Sequence, residues 1–283
     1  MEYVTLYNGV KKPMLSFGVL LIPEETFEQC VFDALEAGYR AFDTAQAYGN
    51  EHLLGSALKK SGIPREELFI TTKVRPHHYD GKTRQTVLES MEKLQVDYLD
   101  LVLLHQPFGD IYAAWRDLEA LYEEGKIRAI GVANFYADRL VDLAYLAKIR
   151  PMVDQVEVHP LHQREDMLHW GNKLGIAIEA WSPFGRGRGG MLENPVLTGI
   201  GQKYGKTAAQ VILRWLLQRG IPSVAKSAKT ERIYQNIDVL DFALTEAEME
   251  TVAAMETGTS VFYSHEDPQT VEKFVQGIIN SKA

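Results

Sequence analysis

One cysteine, Cys30, is the only thiol in the 283-residue chain. No disulfide can form within it, which fits a reducing compartment. Cys30 falls in a segment of helical periodicity, where a small buried core residue is expected rather than a nucleophile. Basic charge is also short. Thirty Lys and Arg against 38 Asp and Glu leave a formal net charge of −8, which argues against a nucleic-acid partner, because phosphate backbones need a basic surface. Long apolar runs are missing, so no transmembrane helix and no membrane partner are expected. Residues 1–8 carry neither the basic start nor the apolar stretch of a signal peptide, and the expected address is the cytoplasm. No linker or low-complexity segment interrupts residues 1–283, so one domain is expected, and the negative charge without an obvious apolar patch favours a monomer.

What the chain does contain is an alternation. Asn8-Gly9 signals a type I′ turn and hence a small N-terminal hairpin. Short β-rich runs then occur at 15–18, 40–43, 68–74, 98–105, 128–134, 154–159, 176–182 and 223–227. Helical periodicity fills intervals such as 26–37, 82–94, 112–124, 138–146 and 207–219, and a last helix is expected over 271–279. Thr207 with Gln210 and Thr245 with Glu248 read as capping boxes. The runs are apolar at consecutive positions, as in Leu101-Val-Leu-Leu104, which is the pattern of strands covered on both faces. Eight such strands separated by helices predict a single (β/α)8 barrel; a doubly wound open sheet is the alternative.

A barrel keeps its chemistry at the C-terminal ends of its strands. There the runs end in Asp43, Lys73, His105, Asn134, Gln155 with Glu157, Trp181-Ser182 and Lys226-Ser227. Charges near a core are costly unless paired, so these residues are expected to pair with one another or with a ligand. Tyr48 follows Asp43 on the next loop. A tyrosine beside a lysine is a plausible proton donor, since the ammonium lowers a phenol pKa that is ordinarily about 10. An aspartate would hold that lysine, and a neutral histidine would orient a carbonyl. Lys73 could instead form a Schiff base, as in an aldolase. The pairs His77-His78 and His159-x-x-His162 do not read as converging metal ligands, and no metal is expected.

Gly185-Arg-Gly187-Arg-Gly-Gly190 satisfies G-x-G-x-x-G literally but follows the seventh strand rather than the first, so it is no dinucleotide fingerprint. With Arg186 and Arg188 it could still fold over a pyrophosphate. Lys226-Ser227, a short turn, and a helix capped by Thr230 and carrying Arg232 form the last-strand phosphate site of a barrel. Such a site suits the 2′-phosphate of NADPH.

On these residues the chain resembles the aldo-keto reductase superfamily along nearly its whole length, most of all bacterial reductases of the 2,5-diketo-gluconate and glyoxal/methylglyoxal type. The matching stretches are Gly38-Tyr-Arg-Ala-Phe-Asp43-Thr-Ala, Tyr48-Gly-Asn-Glu51, Thr71-Thr-Lys73, Leu103-Leu-His105-Gln-Pro107, Gly131-Val-Ala-Asn134-Phe135, Gln155-Val-Glu-Val-His159-Pro160, and Lys226-Ser227 with Arg232 and Asn236. The resemblance implies NADPH-dependent reduction of small carbonyl compounds. It assigns Asp43, Tyr48, Lys73 and His105 to catalysis, with Tyr48 the proton donor. Asn134 and Gln155 would hold the nicotinamide carboxamide under a stacked Trp181. Ser182 and the loop of Gly185, Arg186 and Gly187 would meet the pyrophosphate; Lys226, Ser227 and Arg232 the 2′-phosphate; Asn236 the adenine. Ala133, Trp181 and Ala225 stand where relatives commonly carry Ser, Tyr and Pro. Leu20, Arg75 and Gln106 occupy substrate positions that are aromatic in many relatives, which suggests small polar or anionic carbonyls, and residues 260–268 resemble the family's C-terminal substrate loop. An NADPH-binding sensor with negligible turnover is the other reading of the same residues.

Overall fold

The computed structural model describes residues 2–280. Strands β1 (Tyr3–Thr5) and β2 (Lys11–Pro13) pair antiparallel, with Thr5 opposite Lys11. The turn between them is not type I′. Gly9 alone takes a left-handed φ, of 88°. Its N–H donates to the Leu6 carbonyl at 2.8 Å, and the Leu6 N–H donates to Val10 at 2.9 Å. That is a type I turn followed by a glycine bulge. Asn8 serves through its side chain instead, accepting from the Val10 N–H at 3.2 Å.

Eight parallel strands follow and close on themselves: β3 (Leu15–Gly18), β4 (Ala41–Asp43), β5 (Phe69–Val74), β6 (Leu101–Leu104), β7 (Ile130–Ala133), β8 (Val153–Glu157), β9 (Ala177–Trp181) and β10 (Ser223–Ala225). β10 returns to β3 with Val224 beside Ser16. This is the expected (β/α)8 barrel, and the closure excludes the open sheet. Every residue of the eight strands is buried except the two ends of β9, so both faces of the sheet are covered.

Helices over Glu24–Ala37, Thr83–Leu94, Ile111–Glu123, Ala137–Leu146 and Ala208–Gln218 lie within two residues of the periodic segments, the ordinary scatter of helix ends. Both capping boxes form. Thr230 is not a cap. It opens the helix Thr230–Ile237 as its first residue, and its hydroxyl donates instead to Asp33 Oδ2 at 2.6 Å.

The two ends of the barrel differ. The hairpin crosses the N-terminal end, where Tyr7 Oη donates to the Arg150 carbonyl at 2.6 Å and Asn8 Nδ2 to the Arg128 carbonyl at 3.0 Å, both just ahead of a strand. The opposite end is left to loops and to the tail, which runs into the helix Pro268–Asn280. Five strands, β6 to β10, end one or two residues sooner than their β-rich runs suggest, and in two of them a left-handed residue marks the exit. Asn134 (φ 65°) and Ser182 (φ 48°) turn the chain out of β7 and β9, so these residues stand on the rim rather than in the sheet.

Candidate active site

A cavity of about 610 Å³ opens at the C-terminal end of the barrel. Beneath it, Lys73 on β5 and Asp43 on β4 are almost wholly enclosed, and Lys73 Nζ donates to Asp43 Oδ1 at 2.5 Å and to the Thr44 carbonyl at 3.1 Å. Tyr48 stands above them on a short turn, Gln46–Tyr48, with its ring centroid 5.4 Å from Lys73 Nζ. Two side chains pin that turn. Gln46 Oε1 accepts from the Arg75 N–H at 3.2 Å, while Asn50 Nδ2 donates to the Val19 carbonyl at 2.9 Å. The His105 ring meets the Tyr48 ring edge-on, with centroids 5.8 Å apart. Asp43, Tyr48, His105, Asn134, Gln155 and Trp181 all line the same cavity.

Electrostatics refine the expectation for Tyr48. Burial raises its pKa, and this outweighs the lowering by Lys73, so the net shift is upward rather than downward. The phenol therefore holds its proton, which a general acid must do before it can give one. Lys73 is pulled down by burial, but Asp43 and Tyr48 together carry it above its ordinary value. A Schiff-base lysine must shed its proton, and this one is held charged, which removes the support for an aldolase. Burial, with Lys73 and Arg75 nearby, drives His105 down to about 3. It is a neutral imidazole at physiological pH, able to donate one N–H.

On the next strands Gln155 Nε2 donates to Asp43 Oδ2 at 2.9 Å and to Glu179 Oε2 at 3.0 Å. Trp181 Nε1 donates to Asn134 Oδ1 at 2.9 Å, and Asn134 Nδ2 to the His105 carbonyl at 3.0 Å. Ser182 and Arg186 carry the cavity wall onward to Lys226. The glycine loop is tightly turned, with positive φ at Gly185, Arg186, Gly187, Gly189 and Gly190. Lys226 is pulled below the usual amine range by burial and the Arg186 charge, with Cys30 opposing. Ser227 is buried beside it, its Oγ accepting from the Lys229 N–H at 3.1 Å. Arg232 is exposed on the first turn of the next helix, and Asn236 is buried one turn on; neither touches the cavity wall.

Of the substrate positions, Leu20 and Gln106 line the cavity and Arg75 does not. The wall also includes Leu21, exposed and at φ 57°, and Tyr263 from the tail. The sequence places the tail loop without saying what holds it. Glu157 does: it accepts from the Ser260 hydroxyl at 2.5 Å and from the Val261 N–H at 3.0 Å. Phe262 then packs 5.1 Å from Trp181, with the Arg186 and Arg188 guanidiniums over its ring. His265 Nε2 closes the tail on Gln106 Oε1 at 2.7 Å. The histidines weighed as metal ligands have other neighbours, His78 Nδ1 lying 2.9 Å from Gln46 Oε1 and His159 Nε2 2.9 Å from Glu157 Oε1.

Comparison with known proteins shows the family and the fold. Residues 18–257 match the profile of the aldo/keto reductase family. A glyoxal reductase of Bacillus subtilis is 45% identical over 257 residues, covering 90% of this chain and 92% of its own. A methylglyoxal reductase of Escherichia coli O157:H7 is 39% identical over 258 residues, covering 90% and 94%. Among solved structures, an aldo-keto reductase from a deep-sea metagenome library superposes with a TM-score of 0.90 at 39% identity, over 93% of this chain and 98% of that one. A Bombyx mori aldo-keto reductase in complex with NADP gives 0.87 at 33% identity, over 93% and 95%.

Proposed function

The chain belongs to the aldo/keto reductase family, and from that membership we propose that it reduces small aldehydes or ketones to alcohols with NADPH. When bound, the cofactor supplies a hydride to the carbonyl carbon, and the barrel supplies geometry. The donor set fits such a ligand. A flat indole and two amides, Trp181 with Asn134 and Gln155, stand at the catalytic end, and Ser182, Arg186 and Lys226 follow along the same wall. In this reading the turn of Gly185 and Gly187 receives the pyrophosphate. Ser227 and Arg232 join Lys226 at the 2′-phosphate, and Asn236 meets the adenine. An anion beside Lys226 would relieve its repulsion with Arg186, which favours NADPH over NADH.

Tyr48 gives its hydroxyl proton to the carbonyl oxygen. Lys73, held by Asp43, stabilises the phenolate left behind. His105 donates an N–H to the same oxygen and so fixes the carbonyl. One observation carries the reading: Tyr48 and His105 meet at 5.8 Å on one wall, with the enclosed Lys73–Asp43 pair directly behind the tyrosine. Leu20, Gln106 and Tyr263 border the substrate end. With Arg75 off that wall, the preference for anionic substrates loses its support, and neutral dicarbonyls or aldehydes become the favoured class.

The test is NADPH consumption with methylglyoxal, an aromatic aldehyde and a keto acid, in wild type and Tyr48→Phe. Loss of turnover by about 10²–10⁴-fold in the variant, with NADPH binding retained, supports the reductase. Binding without turnover on any carbonyl would favour the sensor reading, and no binding would remove both.

A further inference from the structure

A second buried ion pair lies deeper in the barrel than the catalytic one. Lys12, on β2 of the N-terminal hairpin, and Glu179, on β9, are both at 0% exposure. Lys12 Nζ donates to Glu179 Oε1 and, at 3.2 Å, to the Ser16 hydroxyl. The other oxygen of Glu179 accepts from Gln155 Nε2 at 3.0 Å, and that same nitrogen donates to Asp43 Oδ2 at 2.9 Å. Gln155 and Glu179 are register partners on adjacent strands. The hairpin at one end of the barrel is thus joined to the catalytic pair near the other through a single amide group, in the order Lys12, Glu179, Gln155, Asp43, Lys73.

Such a pair is poorly explained by stability. Removing two charges from water costs about as much as their attraction returns, and apolar residues of similar volume often do as well or better. What the pair does uniquely is act on Gln155. A primary amide has one nitrogen and one oxygen, and a glutamine with no fixed neighbours can turn either end forward. Here two carboxylates converge on one side of it. Reversed, the amide would set its oxygen against both with no proton to share. Gln155 also lines the cavity, so the orientation that satisfies the carboxylates leaves Oε1 as the end offered to a ligand. Lys12 meets Glu179 from below at its remaining oxygen, Oε1.

We propose that Lys12 and Glu179 are positioning residues that lock the Gln155 amide with its oxygen toward the cavity, so that it accepts from the carboxamide NH2 of NADP(H). This rests on the reading that Gln155 contacts the nicotinamide. The lock also spares Asp43. Glu179 takes one proton of the Gln155 nitrogen, Asp43 takes the other, and Asp43 keeps its second oxygen for Lys73.

The experiment compares two double variants in which the ion pair is removed as a unit, so that neither leaves a buried charge unpaired. Lys12→Met with Glu179→Gln retains an acceptor oxygen for Gln155. Lys12→Met with Glu179→Leu has none. Thermal melts of the ligand-free proteins test the fold, and titration calorimetry with NADP+ gives the dissociation constant without turnover. The expected result is two melting temperatures near wild type. The leucine double should lose affinity by about tenfold, the worth of one charge-assisted hydrogen bond, and the glutamine double should recover most of it. Should leucine overfill the barrel and prevent folding, Lys12→Met with Glu179→Val, smaller, suited to a strand and equally without an acceptor, carries the same expectation. Equal affinity in both doubles, whether retained or lost, overturns the proposal, because the acceptor would then be irrelevant. Gln155→Met in the wild-type background separates the two levels of the argument. If it leaves NADP+ affinity unchanged, the cofactor role of Gln155 has failed. If it weakens binding while both doubles match wild type, only the lock has failed.

Discussion

Trp181 donates its indole N–H to the side-chain oxygen of Asn134 at 2.9 Å, reaching over the end of the strand that lies between them. Asn134 in turn donates to the carbonyl of His105 at 3.0 Å. The indole expected to stack on the nicotinamide is therefore tied through one amide to the backbone of His105, the residue proposed to orient the carbonyl.

Trp181→Phe keeps an aromatic face and removes this tie. Losing one hydrogen bond to the buried Asn134 amide should weaken NADP+ binding by about three- to tenfold. The effect should be larger than in Phe262→Ala, which removes packing against the indole and leaves its N–H bond. Calorimetric titration of both variants checks the order, and the reverse order would mean that packing, not the bond, sets the indole.

Lys73→Met leaves the Asp43 carboxylate enclosed without its cation. A broken buried pair costs about 3–5 kcal/mol, so urea denaturation should move to a clearly lower midpoint while turnover falls. In wild type the lysine is charged, and borohydride added with substrate aldehyde should trap no covalent adduct. A mass increase mapped to Lys73 would restore the aldolase reading.

The pH dependence of turnover follows from two shifts of opposite sense. Tyr48 lies above its ordinary value of 10, so the acid stays protonated throughout the neutral and mildly alkaline range. His105 sits at about 3 and contributes no titration between pH 5 and 8. Reductive kcat should accordingly be flat from about pH 6 to 9. An inflection near 6.5 in wild type that is absent in His105→Gln would contradict the neutral imidazole.

Stability should vary with pH where turnover does not. His105 and His265 fall to about 3 and about 4, in each case with burial the main cause. Both are depressed from 6.5. The unfolded chain binds the protons first as pH drops, so folding free energy is fully present above that value. It declines as pH falls toward 4 and levels off below the folded values. Chemical denaturation at several pH values tests this, and His265→Gln should remove part of the slope.

The barrel was legible because eight apolar runs alternate with helices, and the four proposed catalytic residues stood out because each lies at or just beyond the end of a strand. The limits are physical too. Glu179 sits inside an apolar strand run and gives no hint of a partner in the hairpin; the clue was simply a charge where the pattern asked for none. Glu157 was noticed as polar, but its hold on Ser260 and Val261 spans a hundred residues and depends on how the tail folds back. Arg75 reads as a pocket residue because it stands where many relatives carry an aromatic one, yet the chain turns just beyond β5 and Arg75 is not part of the cavity wall. For Tyr48, the neighbouring lysine could be read from the motif, but the burial that outweighs it could not.

The bond between Lys12 and Glu179 also sets an order of events as the protein is made. Its two ends are 167 residues apart. Lys12 leaves the ribosome well before Glu179, and it must stay in water while most of the barrel strands are synthesised. The last strand, which pairs with the first, arrives later still. Long-range contacts of this kind come late in folding, and so the ammonium is sealed inside only when the cylinder closes around a counter-ion that has just been delivered.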